Sequence, residues 1–364
     1  MGDHGVASVS VPRNPQGFTP EWLTTALAGR HPGVVVSTAE VAEIDKGTTT
    51  RIVLRLGYAS GEGPERVFVK MQGSIDHRLV MGLLDMLYHE ARIFGLSDRL
   101  PLEAPLVYAT GIDKRRLQSL VLMEDLRLRG VTLNRATEPL DIAVVTRVVE
   151  MLAAMHGRYW EFRRETRPEL AWVPTYRAFP GWALVGAAGT RRAQKHHAEA
   201  FEVLCAPHLR SWRALAQLWC RGITDIGRGP QTLLHGDTHI GNSYLLPDGR
   251  FGFLDWQLVC RGSWTHDVCY FFVSSLDIED RRKHERDLLD LYVDALGSAG
   301  GRPPSHEEAW AAYRRSPAYG FPCWVATVGF GDYQQPDLAV TTAARFAAAY
   351  TDLETDAALR SAGL

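Results

Sequence analysis

The sequence has little of what marks several large protein classes. Its five cysteines, Cys205, Cys220, Cys260, Cys269 and Cys323, are odd in number, lack CxxC spacing and all fall in the second half. Scattered core thiols of a reducing compartment look like this, and a disulfide framework does not. The histidines, His196 and His197 among them, form neither HExxH nor a Cys/His ligand repeat, so no zinc centre is expected. Charge of one sign is also missing: the formal net charge is only −2, which argues against an extended nucleic-acid surface. No apolar run reaches membrane-spanning length. Residues 1–6 have neither a basic-plus-apolar signal region nor the Ser or Thr that myristoylation wants at position six. The expectation is a cytoplasmic protein with no nucleic-acid and no membrane partner. A GxSxG elbow and a P-loop are absent too. What remains is a chain of 364 residues with ordinary apolar and charged content, enough for one bilobal or two separate domains.

Against that plain background one constellation stands out. His235-Gly236-Asp237-Thr238-His239-Ile240-Gly241-Asn242 is followed, after a short hairpin, by Asp255-Trp256-Gln257. Phosphoryl-transfer enzymes of the kinase type need an Asp that orients the acceptor hydroxyl and takes its proton, and an Asn five positions on that holds a Mg²⁺. They also need a later Asp at a strand end that bridges metal and phosphates. Asp237, Asn242 and Asp255 have these types and this spacing. Gly236 and Gly241 allow the backbone to approach closely. Residues 243–246 and 250–254 read as two strands joined by Pro247-Asp248-Gly249, which returns the chain toward the loop.

The rest of the chain supplies a setting. The opening to about Arg13 is polar and expected to fray. Thr19-Pro20 starts a short helix, read as an accessory. Residues 51–56 and 67–71 alternate like strands of a small antiparallel sheet, and residues 80–96 carry apolar residues at helical spacing. Residues 119–123 form another strand. Lys70, at a strand end, can reach nucleotide phosphates, and Glu90 on the next helix can fix its ammonium group. Lys46-Gly47-Thr48-Thr49-Thr50 lies where a phosphate-covering loop belongs, Thr48 and Thr49 offering N–H groups and hydroxyls, and it reads equally as a plain turn. Met123, Glu124 and Leu126 mark the strand exit where an adenine meets backbone groups.

Asp141 caps a long apolar-faced helix that leads to His156, a residue read as packing. Residues 161–229 are a helical candidate substrate-binding insertion. Asp267 opens a further apolar helix and is read as an anchor for loop N–H groups, not as a metal ligand. Asp277 caps the next helix. Trp264, Trp324 and Phe330 read as core, with acceptor contacts as the alternative. Near the C-terminus Asp332, Asp337, Asp352, Glu354 and Asp356 are acidic candidates for a cationic acceptor.

On these residues the chain resembles the aminoglycoside phosphotransferase and choline kinase superfamily, and within it the ecdysteroid kinase-like branch. The segments that carry the resemblance are Val67-Phe68-Val69-Lys70, the Glu90 helix, residues 121–126, the loop at 235–242, Leu254-Asp255-Trp256-Gln257 and residues 267–272. The resemblance implies an α+β, bilobal protein-kinase-like fold. Its small antiparallel-sheet N-lobe would span residues 1–123 and its larger, mainly helical C-lobe residues 124–364. It implies an ATP- or GTP-dependent, Mg²⁺-dependent kinase that phosphorylates a small-molecule hydroxyl, with the nucleotide held between the lobes. Asp237 would be the base, Asn242 and Asp255 the metal ligands, Lys70 the phosphate contact and Glu90 its partner, and His235 a structural support of the loop. Trp256-Gln257 stands where protein kinases carry Phe-Gly, and no closing Ala-Pro-Glu follows, which disfavours a protein substrate. A nucleotide-binding scaffold without turnover is the alternative.

Overall fold

The computed structural model describes residues 5–47, 49–84, 86–96, 100–175, 180–331 and 335–364. They divide into two compact units. The first comprises Met1–Thr132, Leu246–Asp248 and Leu254–Leu258, and the second Leu133–Leu245, Gly249–Phe253 and Val259–Leu364.

In the first unit, alternating apolar residues build a six-stranded sheet from β1 (Ala7–Ser8), β2 (Val35–Lys46), β3 (Thr49–Ser60), β4 (Arg66–Gln72), β5 (Val107–Asp113) and β6 (Gln118–Glu124). The strand order is β1-β5-β6-β4-β3-β2. All pairings are antiparallel except β1 with β5, which is parallel, so the sheet is mixed where an antiparallel one was expected. The opening residues correct a second expectation. Ala7 and Ser8 pair with Ala109 and Thr110, Val9 donates to the Thr110 carbonyl at 2.9 Å, and Val11 is buried. Apolar side chains at alternate positions 7, 9 and 11 cover Tyr108 and Ala109, which outweighs the local polarity.

Helix α1 (Pro20–Leu27) begins as its sequence dictates, with Thr19 accepting from the Trp22 N–H and Pro at the first position. It is no accessory. Leu23, Ala26 and Leu27 are fully buried and share one apolar cluster with Ile52, Leu54, Val67 and Val69 of the sheet. Burial of a leucine contributes about 1.5–3 kcal/mol.

The single helix expected over residues 80–96 is two, α2 (Ile75–Leu83) and α3 (His89–Phe94). The Leu87 carbonyl lies between them, and side chains of the sheet capture it: Ser119 Oγ at 2.6 Å and Gln72 Nε2 at 3.0 Å. A helix cannot run through a carbonyl used this way without losing its own ladder bond. Ala91 of α3 packs with Val107, Val121 and Met123 on the other face of the sheet.

The second unit is mainly helical. Residues after β7 (Thr132–Leu133) enter α4 (Ile142–Arg158), where Asp141 Oδ1 accepts the Ala143 N–H at 2.7 Å. Helices α5 (Pro180–His196), α6 (Ala198–Leu204) and α7 (Trp212–Ile226) follow. Strand β8 (Thr232–Leu234) pairs with β11 (Cys260–Gly262), and β9 (Ser243–Leu245) pairs antiparallel with β10 (Phe251–Phe253). The hairpin is the one the Pro-Asp-Gly turn implies, shorter at both ends, with Gly249 at φ 84°. Helix α8 (Thr265–Ser275) is buried at all eleven positions and forms the centre of the unit.

Around it stand α9 (Ile278–Ser298), α10 (His306–Tyr313), α11 (Pro317–Val328), α12 (Pro336–Asp352) and α13 (Thr355–Ser361). Asp277 caps α9 through the Asp280 N–H at 2.8 Å. Helices α5 and α11 approach so closely that a Cβ on Gly189 would sit 2.5 Å from the Ala326 carbonyl oxygen. Among the described residues no helix is long and apolar enough to cross a membrane.

Candidate active site

Two groups of side chains form, one in each unit. In the first, β4 delivers Lys70 and α3 delivers Glu90. Lys70 Nζ lies 2.9 Å from Glu90 Oε2 and 2.9 Å from Asp255 Oδ1. Burial pulls the Lys70 ammonium toward the neutral form, but the two carboxylates outweigh it and hold its pKa above the ordinary value. One ammonium cannot compensate two carboxylates in a dry setting. The more buried one, Glu90, is therefore pushed up by burial, with the attraction of Lys70 working against the rise and Asp255 adding to it.

Asp255 keeps more solvent, its side chain 39% exposed. Its φ is 60°, a left-handed conformation that costs a non-glycine residue about 1–3 kcal/mol and that persists only where neighbours impose it. The neighbours here are Trp256 and Gln257. The Trp256 ring meets Phe94 of α3 edge-on at 6.5 Å, the Trp256 backbone N–H donates to the Glu90 carboxylate, and the Gln257 carbonyl contacts His89 Nδ1 at 3.2 Å.

The remaining residues expected at a nucleotide in this unit are placed as follows. Thr48 lies outside the described residues. Thr49 starts β3, and its buried Oγ1 has no hydrogen-bond partner among the described residues. Met123 is core, packed with Ala91, Val107 and Val121. The Glu124 carboxylate is committed to the Leu106 N–H at 2.8 Å and to Arg129 at 3.0 Å, and its own N–H donates to the Leu106 carbonyl at 2.9 Å. Leu126 opens a short 3₁₀ turn, where the first N–H groups have no partner within the helix.

In the second unit the loop between β8 and β9 is held from below by Asp267. Its Oδ2 accepts the His235 N–H at 2.8 Å, its Oδ1 the Gly236 N–H at 3.0 Å, and its carbonyl accepts Thr238 Oγ1 at 2.7 Å. Asp267 is the third residue of α8, not the first, so the preceding turn and not the cap position aims it. Burial would raise its carboxyl. The hydrogen bond from His156 and the nearby His156, His266 and His235 rings outweigh that and hold it below the ordinary aspartate range.

His156 is more than packing. Its Nε2 is 3.3 Å from Asp267 Oδ2 and its Nδ1 is 2.7 Å from the Tyr292 hydroxyl, all of it buried. No spacing rule marks a histidine at the end of an apolar helix face, so only the fold reveals this contact. His266, likewise missed, contacts the Gly236 carbonyl through Nε2 at 3.0 Å, and burial lowers its pKa.

The other side of the loop carries Asp237 and Asn242. Asn242 Nδ2 donates to Asp237 Oδ2 at 2.8 Å and to the Asp237 carbonyl at 3.1 Å. With the amide nitrogen so used, the side chain has its oxygen left to offer a hard cation such as Mg²⁺, and the exposed Asp255 carboxylate is a donor of the same kind. His235 Nδ1 accepts the Asp237 N–H at 3.2 Å, and its ring lies 5.2 Å from Phe253. On the side of α11, Trp324 meets His239 edge-on at 5.1 Å; Trp264 instead stacks on Tyr292, and Phe330 lies under Arg192.

The acidic candidates near the C-terminus are committed to arginines. Asp352 pairs with Arg281 and Arg282, Glu354 with Arg314 and Asp356 with Arg221 and Arg360. Asp337 is exposed at the start of α12, and Asp332 lies outside the described residues.

No curated protein matches the chain. Solved structures similar to it include the choline kinase LicA of Streptococcus pneumoniae, 15% identical, covering 87% of this chain and 94% of that one at a TM-score of 0.47. A choline/ethanolamine kinase family protein of Mesorhizobium loti is 14% identical and covers 89% and 92% at 0.46. The spectinomycin phosphotransferase APH(9)-Ia is 12% identical and covers 94% and 100% at 0.48. Residues 51–315, well over half the sequence and spanning Lys70, the loop and Asp267, match the phosphotransferase enzyme family (APH), and the chain belongs to that family.

Proposed function

We propose that this phosphotransferase moves the terminal phosphoryl group of ATP or GTP to a hydroxyl of a small-molecule alcohol in the cytoplasm, in the manner of the ecdysteroid kinase-like branch. The observation that carries the reading is the Asp237–Asn242 hydrogen bond of 2.8 Å on a loop whose backbone Asp267 clamps. It sets a carboxylate and an amide oxygen at fixed places, as positioning and charge neutralisation require.

In the proposed reaction the acceptor hydroxyl gives its proton to Asp237 while its oxygen bonds to phosphorus. The bond from phosphorus to the departing nucleoside diphosphate oxygen breaks. Lys70, fixed by Glu90, would pair with the phosphates, Thr48 and Thr49 would cover them, and backbone groups at Glu124 and Leu126 would meet the base beside Met123. Mg²⁺ bound to Asn242 and Asp255 would neutralise phosphate charge. His235 and Asp267 would hold the loop and take no proton from substrate.

Asp352, Glu354 and Asp356 are tied to arginines, so among the described C-terminal candidates Asp337 is the one left to meet an acceptor ammonium group. An alcohol without several positive charges suits that arrangement better. The test is Mg²⁺-dependent nucleotide consumption against a panel of alcohols, with product mass checked for one added phosphoryl group. Asp237→Ala should still fold and bind nucleotide while turnover falls at least ~10²-fold, as loss of a positioned base costs. Unchanged turnover in that variant would remove Asp237 from the chemistry, and nucleotide binding without product in the parent would favour a scaffold.

A further inference from the structure

His239 stands two residues after Asp237, and its geometry is unlike that of a packing residue. Its Nδ1 accepts the Gly241 N–H at 3.1 Å, which makes it the N-cap of the turn at Ile240–Asn242. A ring nitrogen that accepts a hydrogen bond carries no proton, so the neutral imidazole has its proton on Nε2. That Nε2 lies 3.8 Å from Asp237 Oδ2. The distance exceeds a direct hydrogen bond, yet one oxygen atom can sit about 2.8 Å from both.

The ring is fixed from two further elements. Trp324 of α11 meets it edge-on at 5.1 Å and 86°, and Tyr270 of α8 at 6.4 Å and 75°. The cap alone does not explain the residue. Ser, Asp, Asn and Thr are the preferred caps, and none of them would present a second donor on the side of Asp237. Among the described residues, Tyr270 of α8 and Cys323 of α11 bring no charge to this corner. Burial pushes the Tyr270 phenol well up and the Cys323 thiol up to about 12, so both are neutral at physiological pH.

We propose that His239 orients the acceptor, its Nε2–H and Asp237 Oδ2 together holding the reacting hydroxyl of an uncharged alcohol. The hydroxyl donates to Oδ2 and accepts from Nε2–H, so its remaining lone pair has one direction left to it. Asn242 can stay on the same Oδ2, because a carboxylate oxygen accepts two hydrogen bonds. The inference rests on the phosphotransfer reading above and adds the residue that aims the acceptor.

Two substitutions separate orientation from capping. His239→Asn keeps a cap and removes the distant donor, while His239→Gln returns an N–H near the position of Nε2. The assay measures kcat and KM of the full chain with MgATP and MgGTP. Acceptors are uncharged diols such as cyclohexane-1,2-diol set against polyammonium alcohols, with water, read as nucleotide hydrolysis, where no alcohol is turned over.

The expected result is a loss of about 10- to 100-fold in kcat/KM for the acceptor in His239→Asn and recovery of most of it in His239→Gln. Nucleotide affinity should be unchanged in both, and uncharged diols preferred. Parent-like kcat/KM in His239→Asn, a His239→Gln no better than His239→Asn, or turnover confined to polyammonium alcohols would overturn the inference. Asp237→Asn is the control. If it is inactive while His239→Asn is not, only the role of His239 fails. If it is as active as the parent, or if the parent binds nucleotide and turns over nothing, the phosphotransfer reading fails as well.

Discussion

Replacing Asp267 by alanine tests whether the loop at residues 235–242 is held from beneath. The carboxylate accepts the N–H groups of His235 and Gly236 and contacts His156 Nε2, all in a fully buried position. The Ala variant strands two buried N–H donors, each costing about 1–3 kcal/mol, or about 2–6 kcal/mol together. That is a large part of the 5–15 kcal/mol by which folded domains are typically stable. At about 2–4 °C per kcal/mol for a body of this size, the midpoint of thermal unfolding should fall by about 5–20 °C.

Asp267→Asn keeps one acceptor oxygen and turns an amide N–H toward the other donor, so it should recover only part of the loss. The pH dependence has a definite sign. The folded pKa of Asp267 lies below the ordinary value of about 3.9, so its contribution is fully present above that value and is lost as the pH falls through the folded pKa. Thermal scans of the parent and both variants between pH 7 and pH 3 measure this, and the gap between parent and Asn variant should narrow at the acid end. An Ala variant melting within about 2 °C of the parent at pH 7 would refute the reasoning, because two stranded donors cannot cost so little.

Three further outcomes follow from distances already given. Asp255→Ala should weaken nucleotide binding by about 10-fold or more in the presence of Mg²⁺ and little in its absence, read by calorimetry with and without the metal. An unchanged metal dependence would take Asp255 out of that role. Lys70→Met leaves Glu90 and Asp255 without their shared ammonium group, so the Glu90 carboxyl should protonate at higher pH. Infrared titration of the carboxyl band would see this, and a Glu90 signal that does not move would show that Lys70 was not holding it. Gly189→Ala forces a Cβ to 2.5 Å from the Ala326 carbonyl oxygen, so it should cost about 1–3 kcal/mol in a urea titration; neutrality would mean that α5 and α11 separate easily.

The local layout of the loop was legible in the sequence because it depends on residue type at fixed spacing. Asp237, Asn242 and their glycines lie within eight positions, and the Pro-Asp-Gly turn announces the hairpin that follows. Helix caps at Thr19, Asp141 and Asp277 were readable for the same local reason. What escaped depends on distant partners. His156 acquires its role from Asp267 and Tyr292, more than a hundred residues away along the chain. The opening strand is stabilised by pairing with β5, which no local pattern near residues 7 and 8 can foretell. His239 reads as one more loop histidine until the fold sets its two nitrogens on different neighbours.

The interruption between α2 and α3 has a consequence for how the chain tolerates change. Because Gln72 and Ser119 grip the Leu87 carbonyl, α3 takes its bearing from strands β4 and β6 and not from the helix before it. Glu90 is thereby insulated from whatever happens upstream. Residues can be added to α2, removed from it or exchanged in it, by evolution or by an engineer grafting a foreign segment, with the Glu90–Lys70 pair keeping its register.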